Sequence, residues 1–383
     1  FVIPAIITVV FFAMWIAGAL NPEALKTGVN VAMSNSTTQV WPQTIMQKAV
    51  DTGMTNSVTG FADAFSFALG GAFWAYMGWY ATTFLAGEVK EANKKLPMVL
   101  LTSGLIIMIV YLAASSVSAI ATMGVPIDAA GHTYYTDPAG HQWSFFQAYG
   151  WLSYGPKAAK AAAATIPNFQ SAWSTGIASL IARGMNLDWL SILIAIGAVF
   201  WIANDIPPFL LVASRTFFAM SFDRMMPEKF AYVSERWHAP VWSIIVTAVA
   251  GTLGVIAEVE SIIGTTSYFA FAGVVGTDLM DATFLTMFCL SCMLLPLERK
   301  EIYDRAAVKH SVGAVVLLGF LASLGSAFCL LMFVKESPWI FAPITTGASQ
   351  ADISSFIGMF ACLLVGLLLY IYYMYRNSTK GVD

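Results

Sequence analysis

Hydrophobic residues in this chain fall in long runs separated by polar segments. A run of about 20 apolar residues matches the hydrocarbon core of a bilayer. The pattern therefore predicts about eight membrane-spanning segments, at about 1–20, 61–87, 97–123, 189–214, 241–258, 267–296, 311–334 and 353–375. Each is predicted to be a helix, because an open sheet edge in lipid leaves backbone groups without hydrogen bonds. We expect one all-α integral membrane domain over residues 1–383.

The composition supports a membrane protein and excludes several other classes. Hydrophobic residues make up 58% of the 383 residues and charged residues only 11%, against about 25% charged in an ordinary soluble domain. The net charge of −3 gives no reason to expect a nucleic acid partner. Cys289 and Cys292 form a CxxC pair, but no second pair and no histidine lies nearby, and the four histidines do not pair at metal-ligand spacing, so no metal is predicted. The absence of a phosphate-binding loop or a hydrolase motif argues against ATP drive and against an enzyme.

Most of the 19 lysines and arginines cluster in four short stretches, at 88–97, 215–240, 297–310 and 374–383. Basic loops face the cytoplasm in most membrane proteins. The C-terminus is then cytoplasmic, and the segments 21–60 and 124–188 are long extracellular loops. We expect this topology in the plasma membrane.

The chain begins abruptly. Phe1 already lies inside a hydrophobic run, with no flanking charge and no cleavage signal. We expect the sequence to be the later part of a longer protein.

The segment AFWAYMGWYATTFLAGEVKEANKKLP, residues 72–97, places Gly78 within a cluster of aromatic residues. Glycine in a membrane helix serves either close packing or a break in the helix. A break inside the bilayer is tolerated where it lines a cavity, and its freed carbonyl and amide groups attract ammonium and carboxylate groups. An amino acid carries both groups. From the residues alone, packing and a break are equally open.

That segment resembles the sixth transmembrane helix of the amino acid–polyamine–organocation (APC) permeases. A second stretch, SRTFFAMSFDRMMPEKFAYVSERWHAPVWSII at 214–245, resembles the family's loop after helix eight. The resemblance implies a fold of two inverted five-helix repeats followed by two further helices. The eight spans then correspond to helices five to twelve, so that the second repeat is whole and the first four helices are missing.

The resemblance also implies a substrate site around the break. The backbone carbonyls of Phe73, Trp74 and Ala75 are expected to face the substrate amine. The side chains of Tyr76, Met77 and Trp79, next to Gly78, are candidates for the pocket. For any one of these aromatic residues, packing against lipid or other helices is the competing explanation.

Ionisable residues inside the spans are costly and so point to function. Asn204 and Asp205 lie just before Pro207 and Pro208, which free backbone carbonyls one turn back. The carboxylate, amide and freed carbonyl oxygens are fit to bind Na⁺ or a proton as the coupling ion. The alternative is a structural role, in which a polar group of a neighbouring helix or a water molecule forms hydrogen bonds with Asp205.

Asp278 and Asp281 share a helix face in the span at 267–296. Helix ten of the resembled fold faces the outer gate, so a gating role or a contact with the substrate amine is expected. The alternative is that the span begins later and that both residues lie on the outer surface.

Together these features predict a secondary active transporter of amino acids or related organic cations, ion-coupled or exchanging, that works by alternating access. Apart from Na⁺ or H⁺, no cofactor is expected. The alternative is a permease-like subunit that no longer transports and acts as a scaffold. The aromatic segment 124–188 would then contact a protein partner.

Overall fold

A computed structural model of the chain describes residues 2–54, 61–128, 130–137, 140–154, 162, 164–169, 172–263, 277–306, 310–336, 340–341 and 350–379. The α-helices within these residues are α1 Val2–Leu20, α2 Pro22–Met33, α3 Pro42–Asp51, α4 Phe61–Trp74, α5 Ala92–Met123, α6 Phe145–Tyr154, α7 Ala172–Gly184, α8 Asp188–Phe222, α9 Val241–Ile263, α10 Thr277–Glu298, α11 Lys300–Asp304, α12 Val312–Glu336 and α13 Gln350–Thr379. The 3₁₀-helices are η1 Trp79–Glu88 and η2 Glu228–Ala231, and the strands are β1 Tyr134–Thr136 and β2 Gln142–Ser144.

Six of the described helices are long and apolar enough to cross a bilayer: α1, α5, α8, α10, α12 and α13. Every predicted span falls at least partly on a helix, but two do not meet this criterion. The segment 61–87 is interrupted between α4 and η1, and the apolar part of α9, Val241–Ile256, is short. The all-helical class is thus confirmed, whereas the count of eight spans and the repeat architecture stay predictions.

Apolar side chains on the long helices point outward. None of the most apolar 18-residue window of α5 is buried. Leu101, Ile109 and Leu112 on this helix are all more than half exposed. In water such a surface would be unstable, but lipid tails are as apolar as leucine and impose no cost. The exposure is what a membrane-spanning helix requires.

Residue contacts divide the chain into two compact units, where hydropathy alone predicts one domain. The first unit comprises residues 1–59 and 106–206. In it, α7 packs against α1 and α2, and α3 packs against α6. The described residues of the segments 21–60 and 124–188 therefore include the helices α2, α3, α6 and α7 and a β-hairpin.

The largest buried cluster lies in these segments and includes Leu25, Met33, Ile45, Phe145, Tyr149 and Leu180. Helix α2 shows why it folds onto its neighbours. Its buried residues are Ala24, Leu25, Gly28, Val29, Ala32 and Met33, which follow the three- and four-residue spacing of one helix face. Burial of this face holds the first unit together.

Helices α2 and α7 approach each other at two glycines. A Cβ atom added to Gly28 would lie 1.8 Å from the carbonyl oxygen of Leu180. A Cβ atom added to Gly184 would lie 1.6 Å from the carbonyl oxygen of Ala24. Both positions therefore require glycine for lack of space.

The second unit comprises residues 60–105 and 207–383. Helices α10 and α12 pack along each other, and α4 packs against both. Leu279, Ala282, Phe333 and Met359 form a buried cluster, against which Phe73 packs. The end of α4 is thereby fixed beside α10 and α12.

Candidate substrate and ion sites

The helix predicted over 61–87 is broken at the expected place. Helix α4 ends at Trp74, and η1 begins at Trp79. Between them Gly78 has a φ of 77°, in the left-handed region that glycine enters without steric cost. A break, rather than uninterrupted helix packing, is therefore the outcome that the structure confirms.

At the break, backbone N–H groups donate to the carbonyl three residues earlier instead of four, and some backbone carbonyls are left without such a bond. Tyr76 N–H donates to the carbonyl of Phe73 at 2.9 Å, and Trp79 N–H donates to that of Tyr76 at 3.0 Å. Within the described chain, no backbone bond of the turn ends on the carbonyl of Ala75 or Met77. Neither carbonyl therefore has a backbone partner within the turn, whereas the carbonyl of Phe73 already accepts one bond.

Two of the aromatic side chains predicted to line the pocket hold the break against α5. Trp79 Nε1 donates to the carbonyl of Leu100 and to Ser103 Oγ, both at 3.0 Å. Tyr76 Oη donates to the carbonyl of Gly104 at 3.1 Å. The rings of Tyr76 and Trp79 meet edge to face at 6.2 Å. Their polar ends are therefore engaged in fixing the turn.

The remaining residues of the predicted pocket are less engaged. Met77 and Ala75 are half-buried. Phe73 packs edge to face on Phe333, with ring centroids 5.0 Å apart. The side chain of Trp74 lies outside the described residues. None of these observations tests binding, so the substrate role of residues 73–79 stays a prediction.

Helix α8 also reaches the turn. The ring of Phe209 lies 3.7 Å from the position of an added Cβ on Gly78. This is an ordinary contact distance, so an alanine at position 78 is disfavoured by the left-handed backbone and not by a clash.

Tyr80 makes a contact that the sequence analysis did not anticipate. Its hydroxyl group donates a hydrogen bond to Asp281 Oδ1 in α10. The other oxygen, Asp281 Oδ2, is buried and has no hydrogen-bond partner among the described residues. The Tyr80 ring lies 5.8 Å from that of Phe284. An aspartate in an apolar span requires a donor nearby, and a tyrosine beside the predicted break was the signal that could have pointed to this pair.

The other predicted ionisable residues are placed but not brought into a site. Asp278 lies in the first turn of α10, and its side chain lies outside the described residues. Asn204 and Asp205 lie in the first unit, in α8, which continues as a helix through Pro207 and Pro208. Asn204 is exposed, and the side chain of Asp205 is outside the described residues. Ion coupling by Asn204 and Asp205 and gating by Asp278 and Asp281 stay predictions.

The first unit carries a repeated Asp-x-Ala-Gly-His loop, at 128–132 and 137–141. In each copy one carboxylate oxygen accepts the histidine backbone N–H, at 2.9 Å for His132 and 2.8 Å for His141. The hydrogen bond with the His132 ring lowers the pKa of Asp128. Burial acts to raise the pKa of Asp137, but hydrogen bonds from His141 and Trp143 outweigh it and hold this pKa at about 2.

Each loop pairs one aspartate with one histidine. In the part of the chain that the structure describes, no three histidine, cysteine, aspartate or glutamate residues are grouped to hold a metal ion. Asp128, His132 and Tyr134 instead line an open cavity of about 500 Å³.

The family model described as amino acid permease matches residues 1–381. No curated protein matches the chain, and no solved structure does.

Proposed function

Because the chain belongs to the amino acid permease family, we propose that it is a secondary active transporter that moves amino acids or related organic cations by alternating access. The family match covers nearly all of the sequence, and six described helices are long enough to cross a bilayer. The chain is therefore a multi-pass membrane protein of a family of transporters. The substrate class within that family, the coupling and the mechanism belong to the proposal.

The observation that carries the proposal is the break at Gly78. The carbonyl oxygens of Ala75 and Met77, which accept no backbone bond of the turn, can accept hydrogen bonds from an ammonium group. The backbone amides at the start of η1 suit a carboxylate, because the N-terminal end of a helix carries partial positive charge. A zwitterion would satisfy both ends of the turn. Recognition of the common part of an amino acid would then rest on backbone groups.

We assign the coupling ion, Na⁺ or H⁺, to the neighbourhood of Asn204 and Asp205, and an outer gate to Asp278 and Asp281. The distribution of basic residues supports a cytoplasmic C-terminus in the plasma membrane. No observation favours a scaffold role for the chain or a protein partner for the segment 124–188, so neither is proposed.

The test is uptake by the purified full chain in proteoliposomes, with a mixture of stable-isotope-labelled proteinogenic amino acids read by mass spectrometry. Wild-type protein is expected to exchange at least one labelled amino acid against an unlabelled internal pool. Gly78→Ala is expected to lower that exchange about tenfold, because left-handed alanine costs about 1–2 kcal/mol and each 1.4 kcal/mol corresponds to a factor of ten.

Gly131→Ala is the matched control. Gly131 has a similar φ of 84° and has nothing within 4 Å of an added Cβ, but it lies in an outer loop of the first unit. It imposes the same backbone strain away from the break and is expected to leave exchange unchanged. Equal exchange by both variants, or no exchange by wild-type protein, would contradict the proposal.

A further inference from the structure

Only one of the two carboxylate oxygens of Asp281, in α10, has a hydrogen-bond partner among the described residues. Oδ1 accepts the hydroxyl hydrogen of Tyr80, whereas Oδ2 is buried without a partner among the described residues. An ionised oxygen that has lost water and gained no donor is costly in a protein interior, by several kcal/mol or more. A native structure retains such a group only where something completes it.

The surroundings of this carboxylate are apolar. Tyr80 places its ring 6.4 Å from Phe84 and 5.8 Å from Phe284. Leu279 and Ala282, which flank Asp281 in sequence, are both buried. Phe73, at the other side of the break, packs against the buried cluster that contains these two residues. Apart from the Tyr80 hydroxyl group, these neighbours of Asp281 are apolar and do not stabilise its charge.

The charged neighbours do not supply the missing partner. The elements that meet this end of α10 are η1, α4, α12 and α13. The titratable side chains that they bring, within the described residues, are Tyr80 on η1, Cys329 on α12 in contact with the buried cluster, and the exposed Lys335 near the end of α12. No lysine, arginine or histidine of the described chain forms an ion pair with Asp281. The side chains of Asp63, Glu88, Asp278, Glu336 and Asp352, which α10 and these elements also carry, lie outside the described residues.

Three species would complete Oδ2: a metal cation, an ammonium group or a proton. A metal cation needs several oxygen ligands around it, and an ammonium group needs room for a nitrogen and its substituents. The oxygen atom has an exposed area below 1 Å², so neither fits without separation of the helices. A proton adds almost no volume. We propose that Asp281 is a proton-binding group, with the proton on Oδ2 and Tyr80 as the donor to Oδ1.

This inference rests on the proposed transport function. It adds a proton-binding group at Asp281, the residue assigned to the outer gate, to the ion site proposed near Asn204 and Asp205. Asp281 takes one proton from water on one side of the membrane and becomes a neutral carboxylic acid. On release the proton returns to water on the other side, and the carboxylate keeps the negative charge. The charged form requires hydration, so proton loss favours the separation of α10 from η1, beside the break.

Infrared spectroscopy of the purified full chain tests the proton site without any transport. Wild-type protein is expected to show the carbonyl band of a buried carboxylic acid, with a shift in D₂O. Asp281→Asn is expected to lose that band, and Asp223→Asn, which alters an exposed residue after α8, is expected to keep it. Persistence of the band in Asp281→Asn, or its absence in wild-type protein, would overturn the inference.

Tyr80→Phe keeps the test decisive if Asp281→Asn does not fold. Loss of the hydrogen bond to Oδ1 is expected to move the carbonyl band to higher frequency. Tyr370→Phe alters a tyrosine that is 51% exposed and is expected to leave the band in place. An unmoved band in Tyr80→Phe would place the buried carboxylic acid elsewhere.

The transport arm uses the same labelled amino acid mixture, with and without an inwardly directed proton gradient. Wild-type protein and Asp223→Asn are expected to accumulate more substrate with the gradient, and Asp281→Asn is expected to lose that dependence. If wild-type protein does not exchange amino acids at all, the proposed function fails while the infrared result still decides the proton site. If it exchanges and Asp281→Asn retains the gradient dependence, the inference fails alone.

Discussion

The contact between α2 and α7 offers the sharpest test of how the first unit is held together. Replacement of Gly184 by alanine puts a Cβ atom 1.6 Å from the carbonyl oxygen of Ala24 and 2.6 Å from its carbonyl carbon. Real Cβ atoms essentially never approach closer than 3.0 Å, so the oxygen must retreat by about 1.4 Å. The obstacle is backbone, and no side-chain rotation relieves it.

The magnitude follows from what that displacement separates. Leu25 and Val29 on α2, and Leu180 and Ile181 on α7, are almost completely buried. A gap of 0.5–1 Å already forfeits about a quarter to a half of the dispersion energy across a contact. Overpacking costs about 1–3 kcal/mol and occasionally more. Because the clash here is with backbone, we expect Gly184→Ala to cost about 3 kcal/mol.

Thermal unfolding of the purified chain in detergent measures this cost. For a cooperative unit of this size, about 3 kcal/mol corresponds to a Tm lower by about 6 °C or more. Gly150→Ala is the control, because Gly150 lies inside α6 and has nothing within 4 Å of an added Cβ. Its Tm is expected to hold or rise, since alanine favours a helix by about 1 kcal/mol over glycine. Equal Tm values for the two variants would refute the packing argument.

Three further predictions concern separate contacts. Trp79→Phe removes the hydrogen-bond donor to α5 and is expected to lower the free energy of unfolding by about 1 kcal/mol. Ser103→Ala is expected to lower it by less, because Trp79 Nε1 can still donate to the carbonyl of Leu100. Chemical unfolding of both single variants and the double variant checks this. Folding lowers the pKa of Asp137 from its ordinary value of 3.8 to about 2. The Tm of wild-type protein is therefore expected to exceed that of Asp137→Asn fully above pH 3.8, and the difference is expected to vanish as the pH falls towards about 2. A series of Tm measurements at different pH values tests this. Gly319→Ala, in α12, places a Cβ atom 2.8 Å from a side-chain carbon of α10 and is expected to lower the free energy of unfolding by about 1–3 kcal/mol. Gly325→Ala, in the same helix, meets nothing within 4 Å and is the control. The Tm of Gly319→Ala is expected to be the lower of the two.

Hydropathy located the helices because burial in lipid depends on local composition. A run of apolar residues must become a helix in a bilayer whatever its neighbours are. The break at Gly78 was also accessible, since a glycine among bulky aromatic residues signals a backbone that those residues cannot adopt. The two features depend on short stretches of chain, which is why a single sequence was sufficient for them.

The fold of the segments 21–60 and 124–188 was not accessible in the same way. Helix α2 has a readable apolar face, but its partner α7 lies about 150 positions later in the chain. The requirement for Gly28 and Gly184 arises only when the two helices meet, so neither glycine is distinctive on its own. Tyr80 and Asp281 are likewise 201 positions apart, so a tyrosine beside the break signals that an acceptor is nearby but does not identify it as Asp281.

The hydrogen bonds around the break indicate which of its two neighbours, α5 or α10, separates from it first. Tyr76 and Trp79 both bond to the backbone of α5, whereas toward α10 the described hydrogen bond is the one between Tyr80 and Asp281. When Asp281 loses its proton, the carboxylate gains more from water than from a single hydroxyl group, since an ionised carboxylate can accept about four hydrogen bonds. The weaker contact then opens first, and η1 remains with α5. On this argument the aromatic residues around Gly78 serve mainly to hold the turn, and the carbonyls of Ala75 and Met77 are the part of the break left for a substrate.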